Sequence, residues 1–495
     1  TARLSSDDEA ALASWLADPG PPKALHEAKL AWHDLLGRSW KLSGVTSDTA
    51  LAAYLVRPGQ RSFALDDLAV RYLGRELRAE GKEQQQLSLL DDPDEVDDAA
   101  IQALIVRAAA VGDLADALDV ELARIDSLAL LGQMELPVQR ALAEMEDAGI
   151  AVDIELLGRL QSQFADQIRD AAEAAYAAIG EQINLGSPKQ LQVVLFDKLE
   201  MPKTKRTKTG YTTDADALQS LLDKTQTIAA TGRLSSTEPN LQNIPIRTEA
   251  GRQIREAFVV GNGYAELMTA DYSQIEMRIM AHLSRDAGLI EAFNTGEDLH
   301  TFVASRAFGV PSDEVTAELR RRVKAMSYGL AYGLSAYGLA SQLKISTEEA
   351  KQQMDQYFDR FGGVRDYLHS VVEQARKDGY TSTVLGRRRY LPELDSSNRN
   401  VREAAERAAL NAPIQGSAAD IIKVAMINVD RAMKDAGLKS RILLQVHDEL
   451  LFEVAAGERE TLEALVREQM GSAYPLDVPL EVSVGYGPSW DAAAH

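Results

Sequence analysis

Residues 265–276 read AELMTADYSQIE, and residues 442–454 read ILLQVHDELLFEV. The first stretch opens as a buried strand, Ala265 to Ala270, and passes through Asp271 into a helical run ending near His282. Asp271 therefore sits at a strand-to-helix junction. The second stretch holds two apolar strand runs, 442–446 and 450–454, separated only by His447-Asp448-Glu449. That is the pattern of a tight hairpin with Asp448 at its tip. An acid beside buried strands is costly unless its charge is compensated. If the two strands are neighbours, Asp271 and Asp448 converge. Converging carboxylates hold divalent ions about 3.5–4 Å apart, the spacing of two-metal phosphoryl transfer. Taken alone, Asp271 reads as a helix-start acid and Asp448 as a turn former. The motifs around them favour the metal reading.

Ser273-x-x-Glu276 fits a capping box, with Ser273 as N-cap. Farther out, Arg320, Lys324, Tyr328 and Tyr332 are spaced by four. Each step drifts about 40° around a helix, so the first three share one face. Two cations followed by an aromatic suit a nucleoside triphosphate: the cations neutralise phosphates and Tyr328 packs against sugar or base. The plain alternative is a solvated basic face with Tyr328 in the core. Asp298-Leu299-His300 offers a further phosphate donor in His300. Arg233, within TGRLSS at 231–236, is followed by Asn240, Gln242 and Asn243. Arg407, Asn411 and Gln415 form a second cluster, with Pro413 and Gly416 expected to break the helix. Such side chains can donate to minor-groove acceptors without reading sequence, although loop capping is the commoner use of Asn and Gln.

The 495 residues carry 53 Lys plus Arg against 75 Asp plus Glu, a net charge of −22. The length suits about three domains with real cores. A phosphate-binding surface must then be a local basic patch: Lys203, Lys205, Arg206 and Lys208, or Arg320 to Lys324, or Arg387 to Arg389. Absence of Cys excludes disulfides and thiolate chemistry and is consistent with a reducing compartment. Seven His make a His-rich metal site unexpected, so carboxylates and Mg²⁺ are the natural choice. No apolar run is long enough for a membrane span, and a start at Thr1 suggests a fragment. The acidic run 91–98 within 81–98 reads as a solvated linker, residues 201–213 as a basic loop, and Asp153 as the N-cap of a long amphipathic helix.

Together these stretches resemble family A DNA polymerases of the bacterial polymerase I type, and most closely the actinobacterial, mycobacterium-like enzymes. DYSQIE at 271–276 resembles motif A, RRRVKAMSYG at 320–329 the nucleotide-binding helix, and QVHDE at 445–449 motif C. TGRLSSTEPNLQNIP at 231–245 and ERAALNAPIQGSAAD at 406–420 also match, and a weaker likeness covers the whole chain. The resemblance implies an α+β multidomain fold: a right-hand palm, fingers and thumb behind an N-terminal α/β, ribonuclease H-like exonuclease domain. It implies boundaries at 1–125 (exonuclease-like), 126–230 (thumb), 231–290 (palm), 291–400 (fingers) and 401–495 (palm). By matching position, Asp271, Asp448 and the Tyr272 carbonyl would bind two Mg²⁺ ions, with Mn²⁺ able to substitute, and Glu449 would support them. Arg320, Lys324, His300 and Gln274 would hold the dNTP. Glu276 would exclude the ribose 2′-hydroxyl, a role that overrides the capping box, and Tyr332 would stack near the templating base. Arg233, Arg407, Asn411 and Gln415 would track primer–template DNA, with Asn240, Gln242, Asn243, His447 and the basic Lys203, Lys205 and Arg206 nearby. Tyr328 implies ready use of dideoxynucleotides. The implied protein is a monomeric, cytoplasmic, nucleoid-associated bacterial enzyme of DNA repair and gap filling, with no membrane partner.

Two departures qualify the resemblance. The exonuclease motifs lack their acids, since Ala31, Ala108 and Gly112 stand at the matching positions and Asp7-Asp8-Glu9 reads as a helix start. Proofreading is therefore expected to be lost and residues 1–120 kept as a scaffold. Asp223-Lys224-Thr225 also runs directly into Gln226, where relatives carry tens of further residues completing the thumb. A nuclease, a single-subunit RNA polymerase and a non-catalytic DNA-binding protein are the rival readings. The first lacks its N-terminal acids, Glu276 argues against the second, and the third has no use for Asp271 and Asp448.

Overall fold

The computed structural model describes residues 5–77, 98–185, 187, 190, 206–207, 210–211, 232–234, 241–245, 248–296 and 298–494. Its main sheet has four strands: β1 (Glu266–Tyr272), β2 (Arg441–Val446), β3 (Glu449–Val454) and β4 (Val482–Gly487). Their order is β2-β3-β1-β4, each antiparallel to its neighbour. The expected hairpin forms, closed by His447 and Asp448 alone, with His447 left-handed at φ 54°. β3 lies directly against β1, with Glu449 opposite Asp271 and Leu450 opposite Ala270. Side chains alternate across the sheet. Met268, Ala270 and Tyr272 join a large helical core with Ile421 and Met426, while Leu267 packs with Phe258, Leu451 and Trp490 on the other side. Asp271 has the parity of Leu267 and so faces the Trp490 side.

Four helices frame the sheet's functional end: α1 (Ile275–Ser284), α2 (Leu299–Phe308), α3 (Ala317–Ala331) and α4 (Arg399–Asp435). α4 runs through Pro413 and Gly416 without a break, contrary to the sequence expectation. Pro413 forfeits the bond to the Ala409 carbonyl. The surrounding turns are buried at Ala409, Ala412, Ile414, Ser417 and Ala418, and packing of this face holds the helix where local propensity would end it.

In the N-terminal region, Lys23–Leu25 and Val45–Asp48 pair in parallel around the helix Ala28–Leu36, an α/β unit. Ser5 caps the helix Ser6–Ala17, so Asp7, Asp8 and Glu9 occupy its first turn as expected. Asp153 likewise caps Ile154–Ile179 by accepting from the Leu156 amide at 2.8 Å. Ala31 lies on Ala28–Leu36, and Ala108 and Gly112 lie on the helix Asp98–Arg124. The acidic run up to residue 97 lies outside the described residues, as do Lys203, Lys205 and Asn240. Of the basic loop, only the backbone pairing of Arg206 with Tyr211 and Thr207 with Gly210 is described.

Four buried charges join the segment ending at Glu135 to α4 and to the turn that carries Arg387. Lys423, on α4, donates to Glu135 at 2.9 Å; Arg387 donates to Asp420 at 2.8 Å and also to Glu135. Thr383 donates to Asp420 at 2.6 Å. Two cations and two anions neutralise one another away from water. Burial pushes the Glu135 carboxyl up, but Lys423 and Arg387 outweigh it and hold it at about 2. Arg387 therefore leaves the basic surface run that the sequence suggested, because its guanidinium is spent on internal acids. We expect Glu135→Gln to destabilise the chain by about 3–5 kcal/mol in urea unfolding, since it strands the buried Lys423 and leaves the cluster one negative charge short. Glu135 is depressed in the fold, so its contribution should be full above pH 4.5 and fade as pH falls toward 2. A loss below about 1 kcal/mol would show that the cations find other compensation.

Candidate functional site

β1 delivers Asp271 to the place where the β2–β3 turn presents Asp448 and Glu449. The Tyr272 amide donates to the Asp448 carbonyl at 3.3 Å. Burial pushes the Asp271 carboxyl up to about 7, with repulsion from Asp448 and Glu449 adding to it. Burial followed by Glu276 pushes Asp448 up to about 6, partly offset by Arg233. Glu449 is raised by burial and eased by Trp490, whose indole donates to it at 2.8 Å, and by Arg255. Acids that repel one another in a half-buried setting form a charge deficit that a hard divalent cation relieves. Among the described residues, no group of three His, Cys, Asp or Glu side chains is placed to hold an ion. A cation here would draw on two carboxylates and complete its shell from backbone or ligand oxygens.

Glu276 does not form the capping box. Gln274 occupies the N-cap of α1 in the left-handed region at φ 54°, and no side chain caps that end. Ser273 instead lies 3.1 Å from Ser483, Oγ to Oγ. Glu276 is held across the site: Arg233 donates to Oε1 at 2.7 Å and the Tyr332 hydroxyl donates to Oε2. An Arg partner and a phenol outcompete one backbone amide for this carboxylate.

α3 forms as expected, with Tyr332 at its C-cap. Arg320 grips Asp298 with two bonds, 3.1 and 2.9 Å, while Lys324 is exposed and makes no ion pair among the described residues. Asp298 caps α2, where His300 is buried. Its Nδ1 has no partner among the described residues, and burial lowers its pKa, so the ring is neutral. The His300 and Tyr328 rings lie 6.2 Å apart, and burial pushes the Tyr328 hydroxyl up to about 12, with Glu276 and Asp448 adding to it.

The structure thus gathers Asp271, Tyr272, Gln274, Glu276, His300, Arg320, Lys324, Tyr328, Tyr332, Asp448 and Glu449 around one end of the sheet. Gln415 lies beside the Tyr332 hydroxyl, and Arg407 packs beside Gly333. Gln242, His447 and Arg233 line one small cavity with Asp448 and Lys423. The buried carbonyl oxygens of Gln274, Asn411 and Gln445 have no partner among the described residues, as in a site built for a polar ligand. Asn243 is described in its backbone only, and its side chain, like that of Arg206, lies outside the described residues. Sequence reasoning missed Trp490 and Arg255, which stack at 4.0 Å behind Glu449. Distance along the chain hid them, and neither belongs to a motif.

The chain belongs to DNA polymerase family A, whose sequence model matches residues 154–225 and 222–492. It is similar to the DNA polymerase I of Mycobacterium tuberculosis, with 77% identity over 534 residues, and to that of Mycobacterium leprae, with 75% over 537. Both alignments cover 100% of this chain and 59% of the relative, so the chain spans about three-fifths of those proteins' length. Both also run past the 495 residues of this chain, so the relatives carry residues it lacks. The two family segments overlap at residues 222–225, beside the Thr225–Gln226 junction. Among solved structures, the POL domain of M. smegmatis Pol1, in complex with DNA primer-template and dNTP, is 76% identical with a TM-score of 0.91. That match covers 100% of this chain and 91% of the other.

The raised acids carry a stability consequence. Asp271 has a folded pKa of about 7 against an ordinary 3.8, so stability present below pH 3.8 should be lost as pH rises through about 7. In metal-free buffer, Asp271→Asn should therefore stabilise the chain by about 1–3 kcal/mol at pH 8 and leave it unchanged at pH 3.5. Thermal unfolding at the two pH values checks this; equal shifts at both would refute it.

Proposed function

We propose that this chain is a template-directed DNA polymerase that adds deoxynucleotides to a primer 3′-hydroxyl. The observation that carries the reading is the β1–β3 pairing. It sets Asp271 beside Asp448 and Glu449, at the end of the sheet that faces the cationic α3. The match to a polymerase domain solved with primer-template and dNTP supports the same reading. The donor set suits two Mg²⁺ ions, or Mn²⁺ in their place, held by Asp271, Asp448 and the Tyr272 carbonyl; when bound, these ions supply activation of the attacking hydroxyl and neutralisation of the leaving group.

The chain's own residues account for positioning. Lys324 and Arg320 neutralise the triphosphate, and Arg320 leaves Asp298 to do so. His300, as neutral imidazole, donates to a phosphate oxygen. Tyr328 packs against the sugar, and Gln274 presents its side chain to the nucleotide. Glu276, pinned by Arg233 and Tyr332, stands where a ribose 2′-hydroxyl would meet a fixed carboxylate. Arg407, Asn411 and Gln415, on one face of α4, follow the primer–template duplex, with Gln242 and His447 across from them. The primer hydroxyl attacks the α-phosphate in line and pyrophosphate leaves, so catalysis is positioning and electrostatics. The palm, fingers and thumb boundaries given above, a silent N-terminal scaffold, and a role in repair and gap filling complete the proposal. Among the described residues no helix is long and apolar enough to cross a membrane.

A 5′-labelled primer–template with Mg²⁺ tests the reading. Extension should require dNTPs, and the primer should stay intact without them. Shortening would place a working nuclease in residues 1–125. Asp271→Asn should reduce extension at least about 10³-fold while DNA affinity changes little; parallel loss of both would assign Asp271 to binding. Tyr328→Phe should lower dideoxynucleotide incorporation relative to the deoxy substrate, measured as a ratio of kcat/KM values. An unchanged ratio would free Tyr328 of that role.

A further inference from the structure

A second cavity lies away from these acids. It is a cleft of about 1520 Å³ between the N-terminal region and residues 378–408. Arg57 and Arg71 line one wall, and Arg388 and Arg389 the other. None of the four makes an ion pair among the described residues; Arg71 donates only to the neutral Gln60, at 2.9 Å. The acids of the lining are fewer, and Glu121 is already neutralised by Arg124 at 2.9 Å. On a chain of net charge −22, this is a local reversal of sign.

Aromatic surfaces alternate with these cations. Tyr72 lines the first wall. Tyr380 and Tyr390 line the second, with ring centroids 5.8 Å apart, and the Arg388 guanidinium lies 4.4 Å from the Tyr380 ring. Tyr390 is exposed. Two buried polar atoms of the lining, Gln60 Nε2 and the Tyr72 hydroxyl, have no partner among the described residues. Unpaired cations, aromatic faces and unsatisfied donors together describe a groove for a flexible polyanion with flat bases.

Its position selects the strand. Ala404 and Ala408 line the cleft from α4, and Arg407, on the adjoining face of the same turns, packs beside Gly333 just past α3. We infer that this cleft binds single-stranded DNA, namely the 5′ overhang of the template before it is copied. This rests on the polymerase reading for the identity of the strand. The N-terminal region then holds template through Arg57 and Arg71, whether or not it cuts DNA.

The test compares one primer–template duplex bearing 5′ template overhangs of about 2 or about 12 nucleotides, a length within the reach of such grooves. Fluorescence anisotropy with the full chain should show the longer overhang binding several-fold tighter, with a steeper salt dependence. Arg57→Ala/Arg71→Ala should abolish that difference while leaving affinity and extension on the short overhang unchanged, which also shows that the variant folds. Arg57→Lys/Arg71→Lys should restore most of it, because phosphates read charge. Equal wild-type affinity for the two overhangs would overturn the inference. So would a double variant that weakens both substrates alike or neither. Failure to extend any template would defeat the polymerase reading instead, while the overhang comparison is read from binding alone.

Discussion

The pairing of Glu135 with Arg387 and Lys423 is the contact on which the rest of the molecule leans. It joins segments far apart in sequence at one fully buried point, with Asp420 closing the charge balance. Breaking any member leaves a charge that water cannot reach, so the cluster is rigid by the cost of its alternatives rather than by the strength of any one bond. Its reach extends to the site. Gly232 sits over Arg387 so closely that a Cβ there would lie 2.6 Å from Nε, and its φ of +84° suits glycine alone. The next residue is Arg233, which holds Glu276. The internal guanidinium thus fixes the backbone from which a site arginine reaches out.

The site itself is built on the opposite principle. The cluster balances its charges, whereas Asp271, Asp448 and Glu449 are brought together with Arg233 and Arg255 offsetting them only in part. The β1–β3 register forces that proximity, because a shift of one residue would turn the whole apolar face of β1 out of the helical core. Sheet packing therefore supplies the stability that the clustered acids withdraw. This is the arrangement expected where a ligand completes the electrostatics.

Much of this was legible in the sequence because it obeys local rules. The strand before Asp271, the hairpin at Asp448, α3 with its cationic stripe and the Asp153 cap all follow from periodicity and turn chemistry. The errors share a physical cause. The capping box at Ser273 and Glu276, the break at Pro413 and the basic run at Arg387 follow from neighbours in sequence. Each was decided by partners distant in sequence: Arg233 and Tyr332, the core around α4, and Glu135 with Asp420. Trp490 and Arg255 carry no local signal for the same reason. Only the main-sheet fold tells where a residue two hundred positions away will stand.

The same distinction separates the site's firm contacts from its labile ones. The Arg320–Asp298 pair is bidentate, yet both side chains are more than two-fifths exposed, so it is worth about 0–1 kcal/mol and yields readily to a phosphate. The Glu276 contacts differ, since that side chain is only 12% exposed and is held from two directions. Tyr332 ends α3, so its hydroxyl ties the cationic helix to Glu276. Tilting α3 while keeping Arg233 in place would break one Glu276 bond and spare the other. On the polymerase reading, the triphosphate end of α3 is thus free to rearrange at little cost, while its far end is anchored to the residue that tests the sugar. Binding energy gained at Arg320 and Lys324 can then be felt at Glu276 through a single stiff helix, with no further contact required.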